Sequence, residues 1–355
     1  MRHAPAVWTS DAAWASVARL MLAPPAWLYR GAMAARNALY DRGALATAVP
    51  PIPVISVGNL SVGGTGKTPI AAWMASSLRS RGARPAIVMR GYGEDEPQAH
   101  ALMNPDVPVY PGTDRVAGVR AAARNDADIA ILDDAFQHRR IQRLEDVVLV
   151  SADRWTEPIR VLPAGPWRET PSALSRATLL IVTRKAVDGE QAESLLRRLT
   201  PMTRTGRGAV AGLELADLRN VVTGEGRALS DIRGTRVLVA AGIGDPDSLA
   251  TQLRAIGARV EMRRFPDHHV YDSSDIERLV RDARSFDHMI CTLKDAVKLA
   301  RRWPREAPSL WYVSLRCRIE TGSADVSAMF DRVLAARSTQ LRQAPAAARL
   351  NDSST

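Results

Sequence analysis

Cysteine is scarce in this sequence. Of the 355 residues only two are cysteines, Cys291 and Cys317, and both fall in apolar stretches that are typical of strands. Buried thiols in a reducing compartment therefore fit the sequence better than a disulfide. Neither cysteine has the spacing of a metal ligand, so these residues predict no zinc site.

Long apolar runs are also missing. The charge-free stretch from Leu20 to Tyr29 is far shorter than the roughly 20 apolar residues that span a bilayer. The N-terminal region lacks the basic segment, long apolar core and cleavage site of a secretory signal. We therefore expect neither a membrane-spanning helix nor a cleaved leader there.

The basic residues form no short Lys/Arg block, and no aromatic stacking motif accompanies them. The net charge is +10, but its excess of arginine is spread along the chain. These features argue against nucleic acid as the partner. They suit other anions, such as nucleotides, phosphorylated substrates and phospholipid surfaces.

A glycine-rich loop follows a β-branched run at residues 52–57, and Pro69 after the loop suits the first turn of a helix. Glycines let the backbone amides approach phosphate oxygens, a lysine can reach the β- and γ-phosphates, and a threonine hydroxyl can bind Mg²⁺. The strict P-loop pattern has glycine at the position of Ser61, so a glycine-rich turn without a ligand is the alternative. The predicted nucleotide-binding residues are Ser61, Val62, Gly63, Gly64, Thr65, Gly66, Lys67 and Thr68.

Paired carboxylates, Asp133 and Asp134, end a later apolar run. In a P-loop protein one such carboxylate can hold Mg²⁺ and the other can lie beside the transferred phosphate. The same pair is also common in a helix cap or turn. Together with the upstream loop, the pair predicts a Mg²⁺ site at Thr68, Asp133 and Asp134.

The alternation of strands and helices after residue 50 predicts the α/β class, with a P-loop NTPase-like doubly wound parallel sheet and a second, smaller α/β domain. A polar passage at residues 203–208 marks the boundary between them. The predicted segments are an amphipathic helical segment at 1–45, a P-loop core domain at 46–205, a second α/β domain at 206–338 and a disordered tail at 339–355.

Tryptophan, leucine and methionine alternate with arginine in the N-terminal segment, and Pro24 and Pro25 divide its helical pattern in two. Amphipathic helices of this composition can lie in a membrane interface. The alternative is a helical hairpin packed on the globular domain. The two interpretations are compatible.

The ordered motifs resemble one family, the tetraacyldisaccharide 4'-kinases, which are the lipid A 4'-kinases of Gram-negative bacteria. The resemblance spans nearly the whole chain, and the family has a small hydroxyl residue at the position of Ser61. Two departures are Ala135, where glycine is usual, and a shortened segment before Asp95. The matching motifs occupy residues 58–69, 90–93, 95–97, 114–115, 133–138, 162–169, 242–246, 265–269 and 292–298.

The resemblance implies transfer of the γ-phosphoryl group of ATP, with Mg²⁺, to the 4'-hydroxyl of a tetraacylated glucosamine disaccharide 1-phosphate. Asp95 would accept the hydroxyl proton with support from His268, while Glu94 and Glu96 are neighbouring alternatives for the base. Lys67 and Arg115 would neutralise charge on the phosphates. The implied substrate-side residues are Asn59, Arg90, Tyr92, His138, Arg168 and Asp267.

Without the resemblance, residues 267–269 indicate only a polar turn, and Lys294 with Asp295 indicates an ion pair at a helix start. The acyl chains of the implied lipid A precursor would keep it in the bilayer. We therefore expect a peripheral protein on the anionic cytoplasmic face of the inner membrane, with no obligate protein partner.

A membrane-associated P-loop ATPase switch is the alternative function. Its loops carry a lysine immediately before the paired glycines, where this chain has Val62. ATP turnover that requires a lipid disaccharide would separate the two functions.

Overall fold

The structure is a computed structural model that describes residues 6–91, 95–244, 246–266 and 269–351, with side chains described up to Thr339 except those of residues 6 and 9. Three helices come first, and a P-loop half follows. In chain order these elements are α1 (Ala6–Thr9), α2 (Ala13–Met21), α3 (Ala23–Asp41), β1 (Val54–Asn59), α4 (Lys67–Ser80), β2 (Pro85–Met89), α5 (Asp95–Met103), β3 (Val109–Pro111), α6 (Arg115–Arg124), β4 (Ile129–Asp133), β5 (Glu145–Ser151), β6 (Leu179–Arg184) and α7 (Gly189–Leu199).

The second half of the chain repeats the alternation of strand and helix. Its elements are β7 (Gly208–Asn220), β8 (Gly226–Ala228), β9 (Arg236–Ala241), α8 (Pro246–Ile256), β10 (Arg259–Arg264), α9 (Ser273–Ala283), β11 (His288–Thr292), α10 (Leu293–Leu299), β12 (Leu310–Thr321) and α11 (Ser323–Asn351).

One continuous sheet joins the two halves, in the order β10-β9-β11-β12-β7-β6-β5-β1-β4-β2-β3, with β8 paired to β7. Every pairing is parallel except β7 with β12 and β7 with β8. The predicted α/β class with a mostly parallel sheet is confirmed. The connection between the halves was not predicted.

Strand β7 makes this connection. Its first residues pair with β6, from Leu180 opposite Gly208 onward, and the strand then runs antiparallel to β12 as far as Asn220 opposite Trp311. The polar passage at 203–208 that predicts a domain boundary therefore leads directly into a strand of the shared sheet.

Helix α11 brings the end of the chain back to the first half. Met329 and Phe330 are buried in the same core cluster as Ile70 and Met74 of α4. The predicted second domain, 206–338, includes the first turns of α11, and these turns pack in the core of the P-loop half. The helix continues to Asn351, into residues 339–351 that were predicted as a disordered tail.

The N-terminal helices pack on the P-loop half. Pro24 and Pro25 occupy the first turn of α3, so the helical pattern is divided just before them, between α2 and α3. Ala26 is buried, and Asn37 Nδ2 donates to Glu169 Oε2 at 2.7 Å. Several large apolar side chains of α2 and α3 are nevertheless exposed. We refer to six of them, which lie in α2 and the first turns of α3, as the N-terminal apolar patch: Trp14, Val17, Leu20, Met21, Trp27 and Leu28. Among the described helices, none is both long and apolar enough to cross a membrane.

Candidate active site

The glycine-rich loop joins strand β1, which is buried along its whole length, to helix α4. Gly63 and Gly66 have φ values of 110° and 85°, a region that favours glycine because it lacks Cβ. Lys67 is the first residue of α4, so the amides of its first turn point toward the loop. An anion held there would lie at the positive end of the helix.

Hydrogen bonds to the surrounding strands hold the loop in place. Asn59 Nδ2 donates to Thr65 Oγ1 at 2.8 Å, and Thr183 Oγ1 of β6 donates to the carbonyl of Thr65 at 3.0 Å. The amide of Val62 donates to the carbonyl of Pro166 at 2.8 Å. The loop is therefore shaped by the protein itself. Asn59, which was predicted on the substrate side, supports the loop from a fully buried position.

Asp134 lies beside the lysine of the loop, directly after β4. Its Oδ1 is 3.7 Å from Lys67 Nζ and 2.8 Å from an amino nitrogen of Arg168. Burial alone would raise the pKa of the Asp134 carboxyl, but the positive charges of Lys67, Arg168 and Arg115 outweigh it and lower this pKa to about 2. Asp134 is therefore ionised at any physiological pH.

Of the three arginines that were predicted near the substrate or the phosphates, Arg115 and Arg168 lie near Asp134 but in different environments. Arg115 is buried, with 6% exposure, and donates to the main-chain oxygen of Asp134 at 3.0 Å. Arg168 lines the cleft in front of Asp134. Of these two arginines, Arg168 lines the cleft, whereas Arg115 contacts the main chain of Asp134.

Asp133, the second acid of the pair, has a partner that the sequence did not reveal. Its Oδ2 lies 2.9 Å from Nε2 of His100, a fully buried residue of α5. Its Oδ1 is buried and accepts no hydrogen bond from any residue that the structure describes. Together with the Thr68 hydroxyl in the first turn of α4, this oxygen suits a cation that takes further ligands from phosphate.

A metal site made of protein ligands alone is not present in the described ranges, since they hold no group of three or more His, Cys, Asp and Glu side chains around a common point. Mg²⁺ in phosphoryl-transfer sites is usually bound by one or two carboxylates, water and substrate phosphates. This smaller set of protein ligands is available here, as the hydroxyl of Thr68 and the carboxylates of Asp133 and Asp134.

Asp95 begins helix α5 and is buried, with 6% exposure. Its Oδ2 lies 3.2 Å from Nζ of Lys298, and the next residue, Glu96, lies 2.7 Å from Nζ of Lys294. Both lysines belong to α10 in the other half of the chain. The ion pair predicted between Lys294 and Asp295 is wrong, because Lys294 reaches across to Glu96.

Three predicted site residues, Tyr92, Asp267 and His268, lie outside the described residues, as does Glu94. Arg90 is exposed directly after β2.

His138 follows the paired acids by four residues and lies among arginines. Burial and the charges of Arg115, Arg143, Arg140 and Arg36 lower the pKa of its imidazole to about 4. The ring is therefore neutral near pH 7, when it can both donate and accept a hydrogen bond.

Glu169 is a second residue that the sequence did not single out, although it ends one of the recognised motifs. It is buried with 6% exposure and accepts from Gln137 Nε2 at 3.1 Å and from Arg176 at 2.9 Å. Its contact with Asn37 joins α3 to the same network. The motif at 162–169 was the only signal that could have indicated it.

A cleft of about 840 Å³ lies between the two halves of the sheet. From the P-loop half it is lined by residues 62–69, Asp95, Glu96, Asp134 and Arg168. From the other half it is lined by Tyr271, Thr292, Lys294 and Lys298, and by apolar side chains such as Leu215 and Val313. The structure thus brings the predicted nucleotide loop, one of the acids and the predicted base to one surface.

The parallel sheet, the preformed loop at a helix start and the adjacent acids define a P-loop protein of the α/β class. The sequence profile of the tetraacyldisaccharide-1-P 4'-kinase family matches residues 18–335. The chain belongs to that family.

Curated relatives and a solved structure agree with this assignment. The tetraacyldisaccharide 4'-kinase of Syntrophus aciditrophicus (strain SB) is 36% identical over 334 residues, which cover 82% of this chain and 87% of the relative. That of Halorhodospira halophila (strain DSM 244 / SL1) is 36% identical over 351 residues, covering 93% and 97%. The crystal structure of "apo" form LpxK from Aquifex aeolicus in complex with ATP has a TM-score of 0.70 at 26% identity, covering 89% of this chain and 99% of the other.

Proposed function

We propose that this protein transfers the γ-phosphoryl group of ATP to the 4'-hydroxyl of tetraacyldisaccharide 1-phosphate, a step of lipid A biosynthesis. The membership of the family carries the substrate assignment. The observation that supports the chemistry is the cleft in which the P-loop, the ionised Asp134 and the buried Asp95 share one surface.

Residues on the nucleotide side would bind and neutralise the triphosphate. The amides of residues 63–68 would face the phosphates and Lys67 would reach the β- and γ-phosphates, while Arg168, which contacts Asp134 beside the loop, would supply a further positive charge. Mg²⁺ would be held by Thr68, Asp133 and Asp134, and it would offset charge on the phosphate oxygens.

Asp95 is the proposed general base for the sugar hydroxyl. It lies in the cleft at the start of α5, where it can accept a proton once the hydroxyl oxygen attacks the γ-phosphorus. His268 is proposed to support Asp95, as the family resemblance implies. On the acceptor side, Arg90, Tyr92, His138 and Asp267 remain proposed contributors, and Asn59 would act there only through the loop that it supports.

Contact with the membrane would come from the N-terminal apolar patch. Its side chains are strongly exposed, up to 76% for Leu28, and arginines such as Arg19 and Arg30 lie in the same helices. Aromatic and aliphatic groups next to cations are typical of helices that lie in an anionic lipid interface. We therefore propose a peripheral protein on the cytoplasmic face of the inner membrane, where the acyl chains of the acceptor are buried.

The test is a phosphate-transfer assay with purified protein, γ-labelled ATP and tetraacyldisaccharide 1-phosphate in lipid vesicles. We expect label in the 4'-phosphorylated lipid and little ADP without the acceptor, with Lys67→Ala as the inactive control. ATP hydrolysis that is independent of the acceptor, with no labelled lipid, would instead support the ATPase switch.

A further inference from the structure

Helix α10 presents two lysines to the first turn of α5. Lys294 and Lys298 are four residues apart, so they lie on one face of the helix. Opposite them, the consecutive acids Asp95 and Glu96 begin α5. The two ion pairs, at 3.2 Å for Lys298 with Asp95 and 2.7 Å for Lys294 with Glu96, are contacts between the two halves of the sheet.

The pair at Asp95 is the more enclosed of the two. The side chains of Lys298 and Asp95 are 15% and 5% exposed, against 26% and 20% for Lys294 and Glu96. Charges that are partly removed from water interact more strongly and are less screened by salt. The ammonium of Lys298 therefore acts directly on the carboxylate that is proposed as the base.

A buried carboxylate between the two lysines fixes α10 in position. Asp295 is fully buried and accepts from the amide of Gly242 at 3.0 Å, from Tyr271 Oη at 2.9 Å and from Thr292 Oγ1 at 2.6 Å. Burial, followed by the charge of Asp295, raises the pKa of the Tyr271 phenol, so this group stays a proton donor. Gly242 and Tyr271, from two other segments, and Thr292, the N-cap of the helix itself, therefore hold the first turn of α10, which restricts the position of the lysines.

We propose that Lys298 is a positioning residue for phosphoryl transfer, which holds the carboxylate of Asp95 in place at the cleft when the two halves meet. The Lys294–Glu96 pair fixes the same helix face against α5 and so sets the approach of Lys298. This inference rests on the proposed role of Asp95 in the kinase reaction. An ion pair that served only to join the two halves would contribute to stability and not to turnover through Asp95.

The experiment measures kcat on the lipid acceptor, the ATP dissociation constant and the unfolding midpoint for Lys298→Met and Lys298→Arg. We expect Lys298→Met to lower kcat by roughly 10- to 100-fold, the range for losing one partly buried positive charge beside the reacting carboxylate. ATP affinity should stay within about twofold, because the lysine acts on the acceptor side. Lys298→Arg should recover most of kcat. Arg301→Met, which removes an exposed cation just after α10, is the control and should change nothing.

A double-mutant cycle with Asp95→Asn distinguishes a positioning role of Lys298, exerted through Asp95, from an ion pair that only joins the two halves. If Lys298 acts through Asp95, adding Lys298→Met to Asp95→Asn should cause little further loss of kcat. The proposal is overturned if Lys298→Met turns over normally, or if its loss multiplies in full on the Asp95→Asn background. If Lys298→Met does not fold, the same cycle is run with Lys298→Gln. Failure of the kinase assignment can be told apart from failure of this proposal, because in that case the wild-type protein itself would leave the acceptor unphosphorylated.

Discussion

Nε2 of His100 lies 2.9 Å from Oδ2 of Asp133, and neither side chain is more than 4% exposed. The contact ties helix α5, which begins with Asp95, to the end of strand β4, where the paired acids lie. The proposed base and the proposed metal site are therefore connected through the protein interior.

We expect His100→Ala to lower the free energy of unfolding by roughly 1–3 kcal/mol, because it leaves a buried carboxylate without its partner. It should also raise the Mg²⁺ concentration that gives half-maximal activity, since Asp133 loses the contact that orients it. Chemical denaturation and a Mg²⁺ titration of turnover measure the two effects. His288→Ala, at the start of β11 and away from the cleft, is the control. An unchanged Mg²⁺ requirement would contradict the link to the metal site.

Lys67→Ala and Thr68→Ala should each strongly reduce phosphoryl transfer while the protein stays folded. The first removes a positive charge 3.7 Å from Asp134, beside the expected phosphates, and the second removes a hydroxyl ligand for Mg²⁺. Steady-state kinetics with circular dichroism as the folding check provide the measurement. Near-normal turnover by folded Lys67→Ala would show that the loop does not bind the reacting phosphates.

Local sequence patterns were sufficient to predict those elements whose conformation depends on residues close to one another in the chain. The glycine-rich loop lies between a strand and a helix, as the sequence predicts. Helix α5 was missed because it is only nine residues long and has no clear apolar face.

Contacts between distant residues left no local signal. Lys294 and Glu96 are 198 positions apart, and nothing in the periodicity of either segment indicates the other. Strand β7 was missed for a related reason. Its second half carries Glu214, Asp217 and Arg219 on a strand that neighbours β12, so its composition resembles a polar linker. The continuous sheet and the shape of the cleft follow from these long-range pairings.

Asp95→Ala should lower kcat by roughly 10²–10⁴, the usual contribution of general acid–base catalysis, with ATP affinity largely unchanged. We expect His268→Ala to have a similar effect. If the two residues act as one unit, the double variant should be far less impaired than the product of the single effects. A mild defect in Asp95→Ala beside a severe one in Glu96→Ala would place the base on the neighbouring acid.

Replacing part of the N-terminal apolar patch should weaken binding to membranes. We expect Leu20→Ser, Trp27→Ser and Leu28→Ser together to reduce partition onto anionic phosphatidylglycerol vesicles by about tenfold or more, since even partial burial of three large apolar groups exceeds about 1.4 kcal/mol. Activity on acceptor in vesicles should fall more than ATP affinity. Vesicle sedimentation and nucleotide titration measure these quantities.

Point substitutions are preferable to deleting the segment, because α3 contributes Ala26 to the core and Asn37 to the Glu169 network. The double variant Val49→Ser/Val222→Ser is a matched control, since both valines are exposed apolar residues outside the patch, at 71% and 54%. If the patch variant bound vesicles as tightly as the wild-type protein, the N-terminal helices would have only a structural role, which is to pack on the P-loop half.

His138 should make the protein less stable as the pH falls. The pKa of its imidazole is about 4 in the folded protein, against an ordinary value of 6.5, because of burial and the surrounding arginines. As the pH falls from about 6.5 to about 4, the unfolded chain takes up a proton that the folded protein does not, so unfolding becomes more favourable. Above about 6.5 both states are neutral and this effect is absent.

The variant His138→Gln removes that proton uptake. The unfolding free energy of wild type minus that of the variant should therefore decrease between about pH 6.5 and pH 4, on the order of 1 kcal/mol once solvent screening of a half-buried group is allowed for. Urea denaturation of both proteins across this range measures the difference. A difference that stays constant with pH would show that His138 protonates equally readily in the folded and unfolded chains, and that the ring of arginines does not act on it.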